Sequence, residues 1–519
     1  MGSLSYPITG VPSTFKVPGG YAEILFAQGP ATSSGGRRSV IFVMPMLSTG
    51  AWTVNTVYRV KSEKDAKDGA GVGSPLHIAV REFLMSNRTA ECWALPYAET
   101  SGGAPAAATA VLTLVNSATG TGVLNVWIDG EQCSASFVNG DSITAIGDAI
   151  VASINGKEHL PVTAANGAGT ITITARLKGK SQGDGTTGAI SCHSEITTGI
   201  ATTATLSGQH VGLGAGVDGA EGTTTEAANL ATALAVIASA RYYHIVTSTW
   251  HATELGNLKT HIASKSEPRP GLRSVGHAAY LGTLANGQTL ATTLNYERII
   301  VGWQKDGDRC PAAVAGQMAA VIQKRQEVDA AYNFDDYRGA DWRVPAAYDQ
   351  ADWPDSDDLN DAITDGLTPI ASDQSGSRIV YLATTRSKNA AGTVDDPRAL
   401  EAHRISAADL VVDRMLNRYA LQFGAKKLKA DELLSDGSVN TNQALPRNTV
   451  TPSTFKPWIK DELNRAGDDG LLQEVEASKE GLAVIKDPAN AGRLQVGVDF
   501  HVVDLLHQMT LRVAEVSTG

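Results

Sequence analysis

Arg298-Ile-Ile-Val-Gly-Trp303, followed shortly by Pro311-Ala-Ala-Val-Ala-Gly-Gln-Met-Ala319, is the stretch on which the fold turns. The first block is an apolar run of strand length. The second opens a longer run of apolar and small residues at helical spacing. Together they predict a strand over Arg298–Trp303 and a helix over Ala312–Ala330. The same alternation extends to both sides. Toward the N-terminus, helix Thr225–Ala240, strand Tyr243–Thr247 and helix Ala252–Ala263 are predicted. Earlier still come strand Ser39–Met44, a helix over Ser74–Met85 with Ser74 as N-cap and Pro75 at its first position, and strand Ala90–Leu95. Arg378–Thr384 reads as a further strand. Strands alternating with helices of about 10–20 residues predict a mainly parallel sheet covered on both faces.

Between about Ser101 and Gly219 this rhythm stops, and Gly, Ser, Thr and Ala dominate. Short β-like runs stand at Ala110–Val115, Gly122–Ile128, Gln132–Phe137 and Thr170–Ala175, with turns at Asn139-Gly140 and Asn166-Gly167. Ile143–Ile154, capped by Ser142, is the one clear helix. The segment reads as an inserted, mostly-β module. Asp341–Asp373 carries nine Asp against Arg343 alone, interleaved with Trp342, Trp353, Pro345 and Pro354, and reads as an ordered surface loop.

From about Pro397 an α+β C-terminal domain is expected. Ala407–Phe423 is an amphipathic helix with Val412, Met415, Leu416, Tyr419 and Phe423 on one face and Arg414 and Arg418 opposite. Leu494, Val496, Val498, Phe500 and Val502 alternate, and so largely do Leu505, Met509, Leu511 and Val513, predicting two half-buried strands. Residues 1–20 are broken by proline and glycine yet carry Leu4, Tyr6, Ile8, Phe15 and Val17, the pattern of an extended arm that docks on something. The expected fold is an α/β core with a mainly parallel, discontinuous sheet, an inserted β module and an α+β C-terminal domain. The expected layout is an arm over 1–25, core over 26–102 and 220–396, an insertion over 103–219 and a C-terminal domain over 397–519.

Composition narrows the function. The chain has 519 residues, 54 acidic against 43 basic, for a net charge of −11. A nucleic-acid coat needs the opposite balance. Cys92, Cys133, Cys192 and Cys310 are too few and too scattered for a disulfide framework or a metal knuckle. The start, Met1-Gly2-Ser3-Leu4, lacks the basic and apolar regions of a secretion signal. No apolar run approaches the roughly 20 residues of a membrane helix. A soluble product is expected, with no nucleic acid bound and no membrane insertion. Gly214-Ala-Gly216-Val-Asp-Gly219 matches a dinucleotide fingerprint, but a polar, glycine-broken stretch precedes it where a strand is required, so it reads as a linker. No GxxxxGK[ST], HExxH or GxSxG occurs, and His251 and His261 lie too far apart for one metal-binding face. No catalytic, cofactor-binding or metal-ligating residue is expected, and no cofactor.

Several segments resemble, in order, the contractile-tail sheath family of bacteriophages in its Mu-like form. They are Ile8-Thr-Gly-Val-Pro-Ser-Thr-Phe-Lys-Val-Pro-Gly-Gly-Tyr-Ala-Glu-Ile24, Val72-Gly-Ser-Pro-Leu-His-Ile-Ala79, Pro311 to Ala319, Asp341-Trp-Arg-Val-Pro-Ala346, Leu359-Asn-Asp-Ala-Ile-Thr-Asp-Gly366 and Arg378-Ile-Val-Tyr-Leu-Ala-Thr-Thr385. The inserted module, with its Asn139-Gly140-Asp141 turn and Leu160-Pro-Val-Thr-Ala164, is similar to the β insertion of Mu-like sheaths. Lys16 stands where the family's arm has Arg. The resemblance implies a subtilisin-like core without protease chemistry. It also implies a subunit that polymerises as a helical lattice around a tail tube and contracts to drive the tube through the host envelope. The implied partners are neighbouring sheath subunits, the tail tube protein, and baseplate and tail terminator proteins. The implied place is the virion tail, after assembly in the host cytoplasm. On this reading Leu4, Tyr6, Ile8, Phe15 and Val17 of the arm meet the C-terminal strands of a neighbour (Leu494, Val496, Val498, Phe500, Val502, Leu505, Met509, Leu511, Val513) by strand addition. Arg414, Arg418, Lys426, Lys427 and Lys429, set against Asp413 alone, face the tube. The alternatives are a cryptic subtilisin-like hydrolase and a β-rich phage surface or adhesion protein.

Overall fold

Runs of apolar residues that leave no face for water become central strands. The computed structural model describes residues 38–183, 190, 192–196, 205–206, 219–389, 392–396, 399–440 and 444–509. Its first part contains β1 (Val40–Met46), β2 (Tyr58–Val60), α1 (Glu63–Ala70), α2 (Pro75–Ser86) and β3 (Cys92–Ala98). All seven residues of β1 are buried. Val40, Phe42 and Met44 enter one apolar cluster and Ile41 and Val43 another, because successive side chains of a strand point to opposite faces. Ser74 caps α2 by accepting from the His77 N–H, with Pro75 just inside.

The inserted segment holds β4 (Ala107–Thr113), β5 (Gly122–Ile128), β6 (Glu131–Phe137), α3 (Ile143–Asn155), β7 (Val162–Gly167), β8 (Thr170–Lys178), β9 (Cys192–Ile196) and β10 (Thr205–Leu206). Its strands form two antiparallel sheets, in the orders β10-β4-β8-β7 and β6-β5-β9. β4 and β8 alternate between buried and less buried residues, as half-covered strands do.

The second part continues with α4 (Glu226–Val236), β11 (His244–Val246), α5 (Ala252–Ser266), β12 (Val275–Tyr280), α6 (Leu284–Leu294), β13 (Ile299–Trp303), α7 (Pro311–Gln326), α8 (Ser356–Thr364), β14 (Thr368–Asp373) and β15 (Gly376–Ile379). One eight-stranded sheet, in the order β15-β14-β13-β12-β11-β1-β3-β2, spans both parts. The six strands from β14 to β3 pair in parallel, and β15 and β2 add an antiparallel strand at each edge. The expected mixed α/β fold with a mainly parallel sheet is therefore present, with its strands drawn from both sides of the insertion. Helices α2 and α7 cover one face, and α4, α5, α6 and α8 the other. Gly316 of α7 shows how closely the first pair packs: a Cβ there would lie 2.5 Å from the Ala79 carbonyl oxygen of α2.

The rest comprises α9 (Ala402–Phe423), β16 (Lys427–Leu428), β17 (Thr449–Val450), α10 (Pro452–Asp468), β18 (Leu472–Gln473), α11 (Val475–Glu480), β19 (Ala483–Lys486), β20 (Leu494–Gly497) and β21 (His501–Val502). Two expectations need correction here. The alternation at 494–502 is not one strand: β20 pairs antiparallel with β19, and β21 pairs with β18. Val498 and Phe500 lie between them and pack on the apolar cluster formed by α9 and α10. Residues 503–509 carry no strand, and Leu506 and Met509 are exposed. The expected strand Arg378–Thr384 is also shorter, because β15 ends at Ile379 and the chain then leaves the sheet edge. Leu511 and Val513, the arm residues Leu4, Tyr6, Ile8, Phe15 and Val17, and Gly214 and Gly216 of the glycine-rich motif lie outside the described residues. All four cysteines are buried and free.

Candidate assembly surface and the joint behind it

The basic helix singled out from the sequence is the distal half of α9. Its proximal half is sunk in the core, where Ile405, Ala407, Leu410 and Val411 are buried. The distal half lies on α10: the Phe423 ring meets Phe455 at 4.8 Å and Trp458 at 5.2 Å. Of the expected apolar stripe, Met415, Tyr419 and Phe423 pack on the α10 cluster, and Val412 and Leu416 are not part of it. Helical spacing misplaced the charges. Arg414 pairs with Asp469 at 2.7 Å and Arg418 with Glu462 at 2.5 Å, so both arginines are engaged by α10 and its C-cap in the same chain. Lys429 pairs with Glu432 at 2.5 Å. Lys426 and Lys427 are exposed, with the Lys426 ammonium 4.3 Å from the Phe423 ring centre. Near them Leu421 is 87% exposed and Leu433 65% exposed, so this end of the molecule presents apolar side chains next to cationic ones.

Behind that surface lies a buried joint that the sequence reading missed. Arg38, Arg241, Arg273 and Arg298 each stand within three residues of the start of β1, β11, β12 and β13, which are neighbours in the sheet. They converge on two carboxylates one turn apart on α9. Arg298 holds Asp409 with two bonds, at 2.7 and 2.9 Å. Arg273 reaches the same carboxylate at 3.2 Å and Asp413 at 3.7 Å. The Tyr243 hydroxyl donates to Asp409 at 3.1 Å, and Arg241 pairs with Asp413. Arg38 stacks on the Tyr243 ring at 4.2 Å and donates to the Ser406 carbonyl at 2.6 Å. Burial alone would raise the Asp409 pKa. The guanidinium groups of Arg298, Arg273 and Arg38 outweigh burial and hold it below the usual carboxylate value. The signal available in the sequence was an arginine just ahead of successive strands, but nothing local shows that four of them meet one helix.

Next to the joint, His244 Nδ1 and His277 Nε2 lie 2.9 Å apart, in a cavity also lined by Ile405 and Ser406 of α9. Burial drives His244 well below the ordinary histidine pKa and His277 to about 3, and likewise His261 and His403 to about 4. These rings stay neutral in the fold and take up protons on unfolding below about pH 6.5. The stability they provide is complete above that value and is lost as the pH falls toward the folded-state values. The slope is about 1.4 kcal/mol per pH unit for each proton taken up. Urea midpoints measured from about pH 7.5 to pH 5 should therefore fall steadily on the acid side. A flat profile would refute this account.

Among the described residues no group of three or more His, Cys, Asp or Glu side chains is placed to hold a metal ion. Among them, too, no helix is long and apolar enough to cross a membrane.

No protein-family model matches the chain. A curated protein, the Mu-like prophage FluMu tail sheath protein of Haemophilus influenzae, is 29% identical over 180 residues, 34% of this chain and 36% of that protein. The match thus spans about a third of the length of the curated relative. Among solved structures, the sheath tail protein from Desulfitobacterium hafniense aligns with 15% identity and a TM-score of 0.44, covering 95% of this chain and 100% of that one. The anti-feeding prophage helical sheath in its contracted state aligns with 11% identity and a TM-score of 0.43, covering 96% and 99%. The family resemblance read from the ordered motifs is thus met by detectable similarity, over about a third of the chain, to a Mu-like prophage tail sheath protein.

Proposed function

We propose that this chain is a tail sheath subunit, a structural protein and not an enzyme. It polymerises as a helical lattice around a tail tube and contracts to drive the tube through the host envelope. The match to the Mu-like prophage tail sheath protein carries the reading. The ordered motifs outside any catalytic signature, and the exposed apolar and cationic groups at the end of α9, agree with it. Its partners would be neighbouring subunits, the tube, the baseplate and the terminator, and its place the virion tail. Residues 103–219 would be a peripheral module and residues 1–25 an arm that joins a neighbour's C-terminal strands. Electron microscopy of the overexpressed full chain tests this: long tubes are expected, and a uniform population of monomers would reject it. Deleting residues 1–20 should leave a folded subunit that forms no tubes, and normal tubes from that truncation would remove the arm from the proposal.

Within this reading the tube contact falls to Lys426 and Lys427, because Arg414 and Arg418 are already paired to α10. Exposed charges contribute only about 0–1 kcal/mol each, but the effect multiplies over many copies along a tube. Reversing both lysines to Glu should leave folding unchanged and reduce coating of purified tubes, as should raised salt with the unaltered chain. Coating by the double variant at the level of the parent would place the contact elsewhere.

A further inference from the structure

Residues 503–509 run from β21 across the start of α9, and polar contacts fix much of their course. Asp504 pairs with Arg404 at 2.7 Å and accepts from the Gln473 amide at 3.0 Å. Asn333 donates to the Leu506 carbonyl at 3.4 Å. Toward its end stands His507, whose ring lies 4.9 Å from that of Tyr381. One ring nitrogen, Nδ1, sits on the Asp335 carboxylate, and the other, Nε2, lies 3.0 Å from Glu401 Oε1. Tyr332, Phe334 and Leu382 complete the surrounding wall.

A neutral imidazole has a single N–H. With a carboxylate oxygen against each ring nitrogen, only the imidazolium donates to both, and the neutral ring would set a lone pair against one carboxylate. We propose that His507 is a proton-operated latch: as imidazolium it clamps residues 503–509 to the body of its own subunit, and on losing the proton it lets the segment go. The charged and titratable groups facing it are Asp335 after α7, Glu401 and Arg404 at the start of α9, Tyr381 beyond β15, and Asp504 within its own segment. His403, against the Val503 backbone, is held neutral by burial and does not compete for the proton. Burial lowers the His507 pKa, and the bonds to Asp335 and Glu401 outweigh burial, leaving it above the ordinary histidine value. The clamp is therefore complete below about pH 6.5 and weakens as the pH rises through the raised value. With the clamp closed, Leu506 and Met509 are both turned to solvent, 81% and 82% exposed.

The test is hydrogen exchange of the full chain, read by mass spectrometry on peptides covering residues 503–509 at about pH 6 and about pH 9. Rates are corrected for the intrinsic pH dependence of exchange, and the protein is kept dilute enough to stay monomeric. Protection of this segment should fall by about tenfold or more at the higher pH, where the ring has lost the proton that favours the clamped state. His507→Gln, which takes up no proton in this range, should show the low protection at both pH values. Protection that does not change with pH in the parent chain, or a pH-dependent loss retained in His507→Gln, overturns the latch. Because the readout is on the isolated subunit, it stands or falls independently of tube formation.

Discussion

Asp409→Asn is expected to destabilise the chain by about 3–5 kcal/mol, the cost of removing one partner from a buried ion pair. Asp409 is fully buried, and Arg298 and Arg273 beside it are 4% and 2% exposed. Asparagine keeps the shape and one acceptor, but it strips Arg298 of its paired carboxylate and leaves Arg273 with Asp413 at 3.7 Å. Asp413, further out on α9 and held by Arg241, is too far along the helix to replace it for Arg298. The loss is read as a lower urea midpoint with an unchanged slope. Arg298→Met alone should cost a comparable amount. Combining it with Asp409→Leu should cost less than the sum, because each change then removes the other's stranded charge. A loss under about 1 kcal/mol for Asp409→Asn would show that the arginines relax to solvent, and would reject the buried joint as a source of stability.

Arg309→Met is expected to cost about 3 kcal/mol and to loosen the inserted segment from the core. Arg309 joins the two: it donates to the Asp129 carbonyl at 3.0 Å and to Glu82 at 2.6 Å, and lies 3.5 Å from Glu131. Asp129 also accepts from the Cys310 backbone N–H at the start of α7. Burial already raises the Asp129 pKa despite Arg309, and losing the cation raises it further, which softens the cost. Glu131 is held at about 2, chiefly by its bond to His159. The local readout is proteolysis at the two chains that connect the segment to the core, which pair through Ser101 with Thr224 and Ala106 with Ala220. Cleavage there should accelerate in Arg309→Met. Unchanged cleavage together with unchanged stability would show that packing, not this cluster, holds the segment in place. The same geometry refines the test of the segment as a peripheral module. Replacing residues 103–215 by a Gly/Ser linker strips Arg309 of Asp129 and Glu131, so the deletion is best made with Arg309→Met.

Much of the sheet was legible because its signals are local. β1 is apolar on both faces, and α2 announces itself with Ser74 and Pro75. β12 was missed for the opposite reason. Gly276, His277, Ala278 and Ala279 are poor strand formers, made into a strand by β11 and β13 on either side. α10 was missed because Pro457 interrupts its pattern, although Thr451 and Thr454 form a capping box at its start. That omission explains the misplaced arginines: with α10 unseen, Arg414 and Arg418 read as unopposed charge. The alternation at 494–502 shows the limit of a period-two pattern, which counts faces and gives no partner, so two short strands in different sheets looked like one. The joint at Asp409 was invisible because its four arginines are far apart in sequence and meet only when the parallel strands align.

α9 runs without a break past the buried joint at Asp409 to Phe423, three residues short of Lys426. At 1.5 Å per residue the 14 steps from Asp409 to Phe423 make an arm of about 21 Å, held at its root by the arginines and packed on α10 along its length. Such an arm works as a lever: tilting the core by about 10° carries its far end through about 4 Å at that length. Torque applied to the body of the subunit would thus reach Lys426 and Lys427 as displacement, with little slack lost on the way.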